Sequence, residues 1–147
     1  MRPVLLVLTL LVLGACAPDV ERIEVARVAA PDGALDAVVV QSSAGAGSPF
    51  GYVLDLPVAG CPASDRPVLR VVGARRSASA AGVTVAWAGP RTVRVTWLDA
   101  RFRDPDVDEL VVGTASGPVT VLSGSGEADP TAPPGGMPAI AGASRDC

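Results

Sequence analysis

Val83-Thr84-Val85-Ala86-Trp87-Ala88-Gly89-Pro90-Arg91-Thr92-Val93-Arg94-Val95-Thr96-Trp97 is the stretch that decides the fold. Val83, Val85 and Trp87 recur at every second position, and so do Val93, Val95 and Trp97. A period of two places each trio on one face of a strand, because successive side chains point to opposite sides of the pleat. Ala88-Gly89-Pro90-Arg91 interrupts the alternation with turn residues, so the stretch reads as a β-hairpin. The two tryptophans mark the main core, and Arg94 and Thr96 point to solvent.

The same signal recurs on either side. Phe50, Tyr52, Leu54 and Leu56 share one face of a second strand, with Asp55 on the other. The first strand alternates less cleanly. Ile23 and Val25 share a face, Arg27 breaks the register, and Val28 lies on the opposite side; a bulge or an edge position accounts for this. Pro31-Asp32-Gly33 is a turn, in which proline presets a dihedral and glycine supplies a positive φ. Strands are predicted over residues 22–29, 35–42, 50–56, 67–73, 82–88, 91–98, 109–113 and 118–122. No segment carries helical periodicity. The expected fold is all-β: an antiparallel meander, or a small sandwich or open barrel, of about 7–8 strands. Residues 123–147 hold five Gly and four Pro and few large apolar groups, which predicts a disordered or loosely draped tail.

Composition excludes much. The chain has 147 residues and no His, Lys or Asn; all twelve basic residues are Arg. Without His or Lys, Ser-His-Asp, Cys-His and Ser-Lys arrangements cannot be built within the chain. Imidazole-dependent zinc and copper sites are excluded too. The net charge of −3 argues against a nucleic-acid partner, which calls for a clustered basic face.

At the N-terminus one basic residue, Arg2, precedes a ten-residue apolar run over 4–13. A bilayer needs about 20 apolar residues, so the run reads as an export signal rather than a span. Leu13-Gly14-Ala15-Cys16, which ends it, resembles a bacterial lipoprotein lipobox. The resemblance implies cleavage before Cys16 and acylation of that cysteine. It also implies anchoring in the envelope of a diderm bacterium, with the outer membrane favoured over the inner because Ala17, not Asp, follows. The expected organisation is signal peptide 1–15, lipid-anchored tether 16–20, β-domain 21–122 and Gly/Pro-rich tail 123–147.

Cys61 and Cys147 remain. In an oxidising compartment they can pair, or stay as two free thiols with Cys147 at the end of the tail. The body, over about residues 28–98, also resembles small uncharacterised exported bacterial β-domain proteins. The likeness rests on Ala30-Pro31-Asp32-Gly33, the valine strand Asp36-Ala37-Val38-Val39-Val40, the Gly-rich loop and the Trp-bearing hairpin. No catalytic residue is carried over.

The remaining candidates are clusters. Asp104, Asp106, Asp108 and Glu109 could offer oxygens to calcium, or form a solvated loop neutralised by Arg101 and Arg103. Arg70, Arg75 and Arg76 are a candidate anion site, or a solvated strand end. The loop 42–48 is Gly-rich but lacks the lysine and helix of a phosphate-binding loop. Trp87 and Trp97 could stack on a sugar or peptide, or fill the core. The expected function is a membrane-anchored, periplasmic, non-enzymatic structural or interaction module with no cofactor and with an envelope protein as its candidate partner. A ligand-binding lipoprotein for an anion, peptide or glycan is the second reading, and a carboxylate- or metal-dependent hydrolase the third.

Overall fold

The computed structural model describes residues 19–142 and 146–147. The lipobox, its Cys16 and the signal segment lie outside these residues. Among the described residues nine strands form two sheets facing each other, without closing into a barrel. β1 (Glu21–Ala29), β2 (Asp36–Ser43), β3 (Gly51–Asp55), β4 (Leu69–Val72) and β7 (Phe102–Asp104) make a five-stranded sheet in the order β1-β2-β3-β4-β7. β5 (Thr84–Gly89), β6 (Thr92–Trp97), β8 (Glu109–Thr114) and β9 (Gly117–Ser125) make a four-stranded sheet in the order β5-β6-β9-β8.

The Trp-bearing stretch is the β5–β6 hairpin, with Val85 opposite Val95 and Trp87 opposite Val93. Val93, Val95 and Trp97 face inward and are buried, while Arg94 is exposed. Against them, from the other sheet, pack Val39, Tyr52, Leu54, Leu69 and Val71. Each fully buried valine of this core contributes about 1.5 kcal/mol through apolar burial. Trp87 sits at the core margin, partly buried, and its Nε1–H donates to the Val28 carbonyl at 2.8 Å, tying β5 to β1. The irregular first strand has both features its pattern called for. β1 is a sheet edge, and its register against β2 shifts between Glu24 and Ala26.

Three features differ from the sequence reading. β7 forms a three-residue strand on the far edge of the larger sheet, within the acidic stretch read as a loop. After β6 the chain thus leaves the smaller sheet and returns as the β8–β9 hairpin, which brings β9 parallel to β6. The antiparallel pattern is broken at that one pair, because a strand's own alternation says nothing about which neighbour it finds. The tail, in turn, is draped through specific bonds. Gly126 N donates to Trp97 O, Asp129 N to Arg76 O, Met137 N to Gln41 Oε1 and Ile140 N to Glu24 O, at 2.7–2.9 Å. Met137 packs against the core, and Cys147 is disulfide-bonded to Cys61, 86 positions away.

Candidate ligand-binding face

The outer face of the five-stranded sheet carries the site. Strand register sets its rows. Arg22, Ser42, Gly51, Val72 and Phe102 lie side by side across five strands, and Val40, Val53, Arg70 and Asp104 form the next row. The β1–β4 members of these rows, together with Val20, Asp65 and Pro67 from the flanking segments, enclose an open groove of about 260 Å³. Gly51 gives the groove its dip. A Cβ there would lie 2.6 Å from Ser42 Oγ, whose hydroxyl leans across and donates to the Gly51 carbonyl at 3.4 Å. The floor is valine; the charges over it are Arg22 and Arg70, both exposed, with Asp65 at the rim. Neither arginine forms an ion pair or side-chain hydrogen bond among the described residues.

The other end of the same face is closed. Arg27, Val38 and Asp55 form a further row there. The loop 57–66 lies over it. Gly60 N donates to Asp36 Oδ2 at 2.8 Å, and Ser64 N to Asp55 Oδ2 at 2.5 Å. Arg27 donates to both Glu24 oxygens at 2.7 and 2.9 Å, to Asp36 Oδ2 at 2.6 Å and to the Cys61 carbonyl at 3.1 Å. The Glu24 hydrogen bonds, with help from Asp36, raise the pKa of Arg27 further despite its burial. Asp55, expected to point away from the core, does so and is still buried, because the loop covers it. The Cys61–Cys147 bond fixes this cover to the end of the chain.

The sequence candidates are dispersed. Arg70, Arg75 and Arg76 do not converge. Arg70 faces the groove, Arg75 grips Asp99 with both Nε and Nη2, and Arg76 pairs with Asp129 at 2.7 Å. The hydrogen bond from Arg75 holds the Asp99 carboxyl below its ordinary value. In the acidic stretch, Arg103 takes Asp106 at 2.6 Å and Asp108 at 2.9 Å, occupying oxygens a calcium ion would need. Arg101 does not join it; its side chain lies over Gly73. Asp104 is on β7 and Glu109 on β8, in different sheets, and the described residues hold no group of three or more such side chains placed for a metal. The loop 42–48 is the β2–β3 hairpin connection, with positive φ at Gly45 and Gly47. Trp97 is core.

Sequence reasoning missed Arg22 and the groove. One signal was available. Val38-Val39-Val40 runs without a polar break, which marks a strand apolar on both faces rather than one. Among the described residues no helix is long and apolar enough to cross a membrane. No protein-family model, curated protein or solved structure matches this chain.

Proposed function

We propose that this chain is a membrane-anchored periplasmic lipoprotein whose β-sandwich is a non-enzymatic interaction module. Its docking face is the groove over Val40, Val53 and Val72, and its partner carries carboxylate or phosphate groups. The observation that supports this reading is that Arg22 and Arg70 have no ion-pair partner among the described residues and stand above an apolar floor, while Arg27, Arg75, Arg76 and Arg103 are held by the chain's own carboxylates. Arginine suits the task, since its planar fork meets carboxylate and phosphate with two parallel bonds. The absence of His and Lys from the whole sequence supports a binding rather than a catalytic role. The lipobox resemblance at Cys16 supports the address.

The test is crosslinking and pull-down of the tagged chain from its own envelope, beside an Arg22→Glu/Arg70→Glu variant. The wild type recovers a partner that the variant loses. Equal recovery by both overturns the groove as the docking face. For the anchor, Cys16→Ala shifts the protein to the soluble periplasmic fraction or leaves it unprocessed; a processed, membrane-bound variant contradicts the lipoprotein reading.

A further inference from the structure

The two sheets end in four edge strands: β1 and β7 in one, β5 and β8 in the other. Exposed edges offer unpaired N–H and C=O groups, and native proteins usually blunt them. Three of these edges are blunted. The tail reaches β1, where Ile140 N donates to Glu24 O. β7 is three residues long. β5 carries a bulge between Trp87 and Gly89, and Trp87 ties it to β1. β8 has none of these devices. It is six residues, Glu-Leu-Val-Val-Gly-Thr, with an unbroken register against β9 and no proline.

Its hydrogen-bonding direction is fixed. Ser123 N donates to Asp108 O at 2.9 Å, and the hairpin closes with Thr114 opposite Gly117. Residues 108, 110, 112 and 114 therefore turn their backbone groups toward β9, and Glu109, Val111 and Gly113 turn theirs outward. At the middle of the three outward positions stands Val111, 63% exposed, the most exposed large apolar side chain of the described residues.

We propose that β8 pairs antiparallel with β8 of a second copy, about a two-fold axis through Val111. This goes beyond the groove reading and uses none of its residues. The two four-stranded sheets then become one of eight strands. The strand is self-complementary in this register. Val111 meets Val111 of the second copy, so the exposed apolar group covers itself. Glu109 meets Gly113 of the second copy, and the two Glu109 carboxylates stay about 13 Å apart along the strands. Exposed Val107, just ahead of β8, falls opposite Ala115 of the second copy. All three outward positions form hydrogen-bonded pairs, each exchanging two N–H···O bonds. A foreign strand would gain the backbone bonds but not this matching of side chains, which is why the second copy is the occupant.

Sedimentation equilibrium of the full chain in detergent tests this. The wild-type protein mass rises with concentration from one chain toward two. Val111→Lys and Val111→Glu, which place like charges face to face, each remain at one chain. Their equimolar mixture returns toward two, since Lys then faces Glu. Hydrogen exchange on the wild type gives a reading that needs no variant: the Val111 and Gly113 amides slow at high concentration relative to dilute protein. A wild type that stays at one chain throughout overturns the proposal. So do variants that still dimerise, a mixture that stays monomeric, or exchange at Val111 and Gly113 that ignores concentration.

Discussion

The outer face of the five-stranded sheet is one surface with two fates. At the end where β2 begins, Arg27, Asp36 and Asp55 lie under the loop 57–66, and each has partners. Two to five residues along the same strands, Arg22 and Arg70 stand over valines with no ion-pair partner among the described residues. The strands, their twist and their alternation are shared; only the cover differs. Burial is what forces pairing. A charge taken out of water without partners costs several kcal/mol, so the covered end had to supply Glu24, Asp36 and backbone donors. The open end stays hydrated, and its arginines remain available to something else.

The comparison can be broken by substitution. Asp36→Ala should have the largest effect, about 3 kcal/mol of lost stability in urea denaturation, because it strips Arg27 and Gly60 of a shared acceptor under cover. A loss below about 1 kcal/mol would mean the covered end is wetter than its geometry implies. Replacing Cys61 and Cys147 by Ser should cost about 2–4 kcal/mol, since the bond closes a long loop and holds the cover down. Amides near Gly60 and Ser64 should then exchange faster, and those of the groove should not. Arg22→Ala with Arg70→Ala should change stability by no more than about 0.5 kcal/mol, as unpartnered surface residues do. A larger loss would place these arginines among the structural ones.

The exposed pair Arg75–Asp99 is a third case, partnered without being covered, and its effect is the smallest. The Asp99 carboxyl lies below its ordinary 3.8, so whatever it contributes is present above that pH and lost as the pH falls through its folded-state value. Its carboxyl-carbon shift should titrate with a midpoint under 3.8. A midpoint at or above that value would show that the pair does not form in solution.

Much of the sandwich was legible because its strands bury one face. The hairpin over 83–97 and the strand from Phe50 to Leu56 announce themselves by alternation, and Arg27 gave away the bulge. β7 was hidden in charge. Phe102-Arg103-Asp104 reads as a solvated loop, yet Arg103 turns inward to hold Asp106, Asp108 and the Ser123 carbonyl. The parallel β6–β9 pair depends on chain path, which no local pattern carries. The groove was the least legible part. Arg22 and Arg70 are 48 positions apart and meet only through the β1-β2-β3-β4 register, whereas the adjacent Arg75 and Arg76 look like a cluster and face separate partners.

The most direct test of the contrast between the two ends is a titration of the ¹⁵N-labelled chain with an Asp/Glu-rich peptide, followed by amide chemical shifts. The account predicts concentration-dependent shifts at Arg22, Ser42, Gly51, Val53, Arg70 and Val72, with Asp36, Val38 and Asp55 unmoved. Shifts centred on the covered end or on Arg75 and Arg76, or no shifts at all, would contradict it.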